Sequence, residues 1–490
     1  MPGEVQDIIR WMAAERKALW LWFLTLGSAA MIALVFAPAP LHAIMEQERA
    51  AEAQAAGELS VASEHLARAA ALQPSQTQLW ELAGRQALAG GDAGKAIEFL
   101  ERARQELSLE GMLDLGQAYA QNGDLRAAAQ IWQAAIHRFE PSVEVLNLLS
   151  EANLRSGDYP GARSALESLL VLSPEDAGPH FRLGLLLAAV EPGAAIVHLE
   201  EARRLSPELE KQAGRLRAEI LAASLEGDPA YTLVSAGRVL AALNEWVLAV
   251  EAFSQATLSN PGYAEAWAYL GEARQHRPLD EKQASTQAGL AEIQRALQLD
   301  PLSLSAHLFL SIYWSRQGRY DLAQQAITDA LRIHPQEAVL YAELGRVLAL
   351  SGDLAGAAAD YLQAAALEPD DATYQRQVVE FSLNYNYQLE ALALPAARTA
   401  LSLSPEDADN LDAMAQVQIR LGQLEAARET LERALKVDAQ NAAAHLHYGY
   451  LLMLQGDAAA ALEQFQLAES LAPGSSMAEQ AQRLMEGMLK

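Results

Sequence analysis

Beyond about residue 43 the chain places apolar and polar residues at helical spacing, and the same arrangement returns along its length. The phrases "ELGRVLALSGDLAGAAADYLQAAALEPD", "DLGQAYAQNGDLRAAAQIWQAAIHRFEP", "LLSEANLRSGDYPGARSALESLLVLSPE" and "HYGYLLMLQGDAAAALEQFQLAESLAPG" align nearly without gaps. In each, apolar or small residues recur three and four apart, the signature of a helix with one buried stripe. A Gly-Asp pair interrupts the stripe midway. Glycine accepts the left-handed conformation that closes a first helix, and aspartate caps the free amides that open a second. Each phrase therefore predicts a helix, a tight turn and another helix. The step from Gly318 to Gly352 is 34 residues, and so is the step from Gly422 to Gly456.

Side-chain size follows the same beat. A large residue stands at position 4 of the period (Trp80, Trp267, Tyr341), leucine at position 7 (Leu115, Leu270, Leu344) and a small residue at position 8 (Gly84, Gly116, Gly271, Gly345, Gly449). Alanine fills position 20 (Ala96, Ala128, Ala162, Ala249, Ala323, Ala357, Ala427, Ala461) and most of position 27 (Ala103, Ala135, Ala256, Ala330, Ala364, Ala434, Ala468). Helices packed closely leave room there only for a methyl group. Near position 32, Pro174, Pro261, Pro335, Pro369 and Pro473 stop the second helix. A 34-residue helix-turn-helix period with this punctuation resembles the tetratricopeptide repeat (TPR) family over most of the chain from about Ala43 onward. The expected fold is all-α: a TPR superhelical solenoid of about twelve repeats, preceded by one transmembrane helix.

Repeats are expected to start near Ala43, Thr77, Leu109, Val143, Ala177, Ala230, Ala264, Leu304, Ala338, Ala372, Ala408 and Ala442. Two stretches break the register. Glu208 to Pro229 reads as an unpaired amphipathic helix, and Gln275 to Thr286 lengthens one turn. The tenth unit is the weakest, with Val379 and Ser382 in place of its small and aromatic residues and "FSLNYNYQ" extending its turn. The domain reading is a short cytoplasmic amphipathic segment at 1–17, a transmembrane signal-anchor helix at 18–40, an N-terminal array at 41–226 with an extra helix at 208–226, a C-terminal array at 227–474 and a capping helix at 475–490.

The front end departs from the repeats. No charged residue falls between Ala18 and Met45, and Ala18 to Ala37 reads ALWLWFLTLGSAAMIALVFA. About 20 helical residues span roughly 30 Å, the thickness of a bilayer core. A cleaved signal has a shorter apolar region, and cutting after Ala39 would leave Pro40 following the scissile bond, so the segment reads as retained. Arg10, Arg16 and Lys17 precede it and only Arg49 lies close behind. The amino terminus is thus expected in the cytoplasm of a bacterial-type cell, with the array outside. Val5, Ile8, Ile9 and Met12 make one apolar stripe before the span.

Composition narrows the partners. Lysine and arginine number 36 against 63 acidic residues, a net charge of −27, which repels nucleic acid. The absence of cysteine removes disulfides, thiolate metal sites and catalytic thiols. "LAGGDAGKA", Leu88 to Ala96, approaches a phosphate-binding loop, yet it has Ala89 at the first glycine and Ala96 at the hydroxyl residue, and it aligns with the repeat turns. His445 and His447 are two apart on a helix and cannot chelate together. No enzyme activity, cofactor or metal is expected.

What the resemblance implies instead is a groove. In TPR proteins first-helix positions 2, 5, 6, 9, 12 and 13 line a concave surface that holds peptides or helices. Carried over, these positions place Arg85, Arg155, Arg182, Arg238, Arg316, Arg346, Arg376 and Arg420 there, without a lysine. Arginine forks suit carboxylates and so suggest an acidic client, whereas Glu81, Glu110, Asp114, Glu272, Glu343, Glu380 and Asp412 at the same positions suggest pairing within the groove. The lysine and asparagine clamp of chaperone-binding members is not matched. Phe309 and Ile312 in one unit, and Tyr450 and Met453 in the last, are apolar partner candidates, the last pair also suited to burying the capping helix. The expected function is a membrane-anchored scaffold that binds and assembles proteins at the extracytoplasmic surface. An accessory subunit of a larger integral membrane complex is the alternative, and an envelope polysaccharide assembly or export factor the second.

Overall fold

The computed structural model describes residues 38–276 and 288–488. The segment at 1–17, the apolar run Ala18 to Ala37 and most of the insertion Gln275 to Thr286 lie outside the described residues. Among the described residues there are 26 α-helices and no strand, and no helix is long and apolar enough to cross a membrane.

Packing divides the chain into two compact units, Met1–Asp228 with Ser235–Glu251, and Pro229–Val234 with Ala252–Lys490. The first holds five antiparallel helix pairs, from Pro38–Ala55 with Leu59–Leu72 to Ala177–Val190 with Pro192–Leu205. At 208–226, where an extra amphipathic helix is expected between repeats, a 3₁₀ turn at Pro207–Leu209 leads into Glu210–Ser224, a helix outside the five pairs that packs on Pro192–Leu205 and buries Ala213, Leu216 and Ile220. The second unit holds six pairs, from Ala264–His276 with Leu290–Leu299 to Ala442–Leu454 with Ala458–Leu471, and ends in helix Ser476–Met488. Helices Pro229–Ala242 and Trp246–Ser259 fall at the division.

First helices begin at Thr77, Leu109, Val143, Ala177, Ala264, Leu304, Ala338, Ala372, Ala408 and Ala442, where the pattern puts them. The first described helix, Pro38–Ala55, covers Ala43, and another starts at Pro229 rather than Ala230, because proline fits the opening turn of a helix. Five turns follow the Gly-Asp reading, at Gly91, Gly123, Gly157, Gly352 and Gly456, whereas Arg319 and Gln423 follow Gly318 and Gly422 without a side-chain cap, and Val190 runs through Glu191 into Pro192 without a glycine. Gly91 has φ +81° and Asp92 accepts a 2.9 Å bond from the Lys95 amide; Gly352 (φ +96°) and Asp353 repeat the arrangement. Second helices end at Leu172, Ser259, Ile333, Leu367 and Leu471, each two residues before its proline, since the residue before proline avoids helical geometry. The position-4 side chain then turns back on that end: Trp267 Nε1 donates to the Pro261 carbonyl at 3.0 Å and the Tyr341 hydroxyl to that of Pro335 at 3.3 Å.

The glycines at position 8 make room for one particular neighbour. A Cβ on Gly84, Gly116, Gly345 or Gly449 would strike Leu100, Trp132, Tyr361 or Phe465 respectively. Each of these stands four residues after the position-20 alanine, on the same face of the second helix. The alanines of positions 20 and 27 let the helices approach, with Ala96, Ala128, Ala357, Ala364, Ala461 and Ala468 all at 0% exposure. In the tenth unit Val379 and Ser382 are fully buried, and Phe381 lies among Tyr361, Tyr385 and Tyr387 at 5.2 to 5.7 Å between ring centroids. Its long turn passes through left-handed Asn386 and Gln388 and a π-helical turn at Leu389–Ala393 before Leu394–Leu403.

Candidate partner-binding surface

Successive first helices carry the polar residues that the repeat register assigns to the groove. They are joined to one another. Arg85 Nη1 and Nε reach Glu110 and Asp114, each at 2.8 Å, on the next first helix, Leu109–Gln121. Arg182 donates to Asn147 at 3.0 Å, and Arg376 to Asn410 at 2.9 Å, with Glu380 and Asp407 each 3.7 Å away. Arg316 forks onto both carboxylate oxygens of Glu272, at 2.8 and 3.1 Å, beside Gln275 and His276. Arg346 forks onto Glu343 at 2.6 and 2.7 Å, and Glu343 also accepts from the Ser311 hydroxyl at 2.8 Å. Arg155 stands 3.7 Å from Glu151, and Arg238 is engaged as well. Arg420 alone of the eight forms no hydrogen bond or ion pair with a described residue, and it is exposed.

These contacts make the arginines poor receptors for an acidic client, because a guanidinium already forked onto a carboxylate must give up that pair to accept another. A substitution such as Arg346→Glu would place two carboxylates at Glu343, whose side chain is only 7% exposed, and so would damage the fold as well as the surface. Sequence reasoning missed the uncharged partners Asn147, Ser311 and Asn410, and His447, which meets the groove carboxylate Asp412 at 2.8 Å. A spacing signal was available. Asn147 and Arg182 are 35 residues apart, as are Asp412 and His447, and Arg376 and Asn410 are 34 apart, one repeat in each case.

Electrostatics follow these contacts. Burial pushes the Glu272 carboxyl up, but the hydrogen bonds from His276 and Arg316 outweigh it and hold it below its ordinary value. Burial wins at Asp114, whose carboxyl is raised despite Arg85. Glu380 is likewise raised by desolvation, which Arg376 only partly opposes.

The apolar candidates separate. Ile312 and Arg346 come together in one concavity of about 510 Å³ in the second unit, lined also by Leu308, Glu343, Leu350, Glu380, Phe381 and Tyr385. Phe309 turns into the packing between repeats, edge-on to Tyr269 at 5.0 Å and against Ala268, Ala296 and Ala306. Tyr450 and Met453 pack on the cluster around Phe465, which also takes Ala481, Leu484 and Met485 of the last helix. No group of three or more His, Asp or Glu among the described residues could hold a metal ion.

A family profile described as Tetratricopeptide repeat matches residues 113–177, 279–338, 315–372 and 413–476. Among curated proteins, the Protein CTR9 homolog of Arabidopsis thaliana is 26% identical over 256 residues, 50% of this chain and 22% of that protein, so the chain spans about a fifth of the length of the relative it matches. Among solved structures, yeast Tom70 aligns over 91% of this chain and 95% of its own at 16% identity and a TM-score of 0.45. Pseudomonas aeruginosa pilF aligns over 46% and 98% at 20% identity and a TM-score of 0.35. Helix pairs, turn chemistry and the matched segments agree, and the conclusion is that this chain carries tetratricopeptide repeats in both of its units.

Proposed function

We propose that the chain is a membrane-anchored scaffold that binds a partner protein in the concavity of its second unit. The observation that carries the reading is the lining of that concavity. Leu308, Ile312, Leu350 and Tyr385 offer apolar surface around the Glu343 to Arg346 pair and the carboxylate of Glu380, with the buried Phe381 completing the lining. Leu350 is 40% exposed and Tyr385 37%, so apolar area remains for a partner to cover. Glu380, its side chain 56% exposed and 3.7 Å from Arg376, leaves a carboxylate that a partner's cation can also reach. The occupant that fits is a helical or extended segment with apolar side chains beside a lysine or arginine, in keeping with a chain of net charge −27. Such a partner replaces the acidic client that the groove arginines had suggested.

The membrane part of the reading is supported by the apolar sequence of Ala18 to Ala37, and its orientation, with the array outside the cytoplasm, by the cations that flank it. Anchoring raises the concentration of the concavity near membrane partners. The test is extraction in mild detergent, identification of the co-purifying chains, and repetition with Leu350→Glu and Tyr385→Ala. A partner lost from both variants, at unchanged circular dichroism, supports the reading. One retained by both at the original amount overturns it. Recovery of the chain from carbonate-washed membranes tests the anchor separately.

A further inference from the structure

Leu41, Ile44 and Met45 stand 65%, 52% and 41% exposed on helix Pro38–Ala55. Their spacing of three and four puts them on one face. The opposite face is committed to the array: Ala43, Ala50 and Ala53 are buried, and the helix packs along Leu59–Leu72. Nothing charged stands on the exposed face of these first two turns. Glu46, the first acidic residue, turns inward and meets His65 at 2.7 Å, and Glu48, Arg49 and Glu52 are exposed only further along.

Length gives this face an occupant. The uncharged run from Ala18 to Met45 is 28 residues. About 20 helical residues suffice for a bilayer core of roughly 30 Å, which leaves about eight, or some 12 Å of helix, beyond it. Those eight are Pro38 to Met45, the turns on which the exposed apolar triple stands. We infer that the start of helix Pro38–Ala55 is a membrane-contact surface, with Leu41, Ile44 and Met45 seated in the headgroup and acyl boundary. That boundary accepts apolar faces to a depth of about 5 to 10 Å. The inference rests on Ala18 to Ala37 being the anchor and adds that no free linker separates lipid from the first repeat. One helix serves both, so the first repeat is held against the bilayer.

The absence of cysteine makes the test direct. In the full chain, Leu41→Cys, Ile44→Cys and Met45→Cys are each labelled with an environment-sensitive fluorophore. Glu52→Cys and Val171→Cys, the latter at a site 82% exposed, are the comparison positions. All are reconstituted in nanodiscs of phosphatidylethanolamine and phosphatidylglycerol. The expected result is loss of iodide quenching at 41, 44 and 45, strong quenching there by nitroxide lipids, and open access to iodide at 52 and 171. Iodide access at 41, 44 and 45 equal to that at 171, in chains that still travel with the nanodisc, overturns the contact surface and leaves the anchor standing. Shielding from iodide without quenching by lipid nitroxide assigns the face to a second protein surface and overturns it too. Chains that fail to enter the nanodisc remove the anchor, and the inference with it.

Discussion

Substituting alanine for glycine has opposite consequences at two places in the first unit, and the structure gives both signs. In helix Leu109–Gln121 a methyl group on Gly116 would sit 2.5 Å from Cε2 of Trp132, a side chain only 2% exposed. Overpacking of this kind costs about 1 to 3 kcal/mol. Displacing the indole also weakens the 3.4 Å hydrogen bond from Nε1 to the Leu113 carbonyl, a loss of about 1 kcal/mol or less. The better helix propensity of alanine returns about 1 kcal/mol. Gly116→Ala should therefore destabilise by about 2 kcal/mol. At Gly214, in helix Glu210–Ser224, the new methyl meets only Cδ of Arg203 at 3.6 Å, an ordinary contact. Gly214→Ala should stabilise by about 0.5 to 1 kcal/mol. Urea unfolding of the whole protein, followed by far-ultraviolet dichroism and tryptophan emission, reads the difference of roughly 3 kcal/mol between two identical substitutions. Repeat arrays unfold by neighbouring units, so the midpoint of the first unit's transition is the quantity to compare. Combining Gly116→Ala with Trp132→Val should recover part of the loss, a coupling of about 1 to 2 kcal/mol. Equal stabilisation by both glycine substitutions, or no coupling with Trp132, would refute the account of position 8 as space reserved for a second-helix side chain.

Other expectations concern charge and turns. Glu272 titrates below its ordinary value, so its contribution is fully present above the unfolded-state value and is lost as pH falls through the lower folded one; Glu272→Gln should therefore be least stable relative to the parent above about pH 5, with the gap narrowing toward pH 3 in pH-dependent urea melts. Asp360 shows the reverse sign. Burial, with Asp353 nearby, pushes its carboxyl up to about 6, a penalty present above that pH and relieved as pH falls toward the ordinary carboxylate range. Discounted for solvent screening, Asp360→Asn should add about 1 kcal/mol at pH 8 and little at pH 4, as read from thermal melts across pH. Asp92→Ala removes the cap on the Lys95 amide and should cost about 1 kcal/mol, visible as faster amide hydrogen exchange at the start of helix Ala93–Arg102.

The sequence by itself determined the elements. Helix starts such as Thr77 and Ala442, the left-handed glycines at 91 and 352, the aspartate caps and the proline stops are local devices, each acting within a few residues, so their repetition at 34 residues was enough to read them. Only the tertiary structure decided what the groove offers. The partners of Arg85, Arg182 and Arg316, and the Asn410 partner of Arg376, lie 25 to 44 residues away on neighbouring helices, and an arginine looks the same in sequence whether it is forked onto a carboxylate or open to a ligand. The concavity joining Ile312 to Tyr385 and the π-helical turn after Gln388 likewise arise from how three successive pairs pack, because burial and ion pairing depend on distances through space that a periodic pattern leaves unspecified.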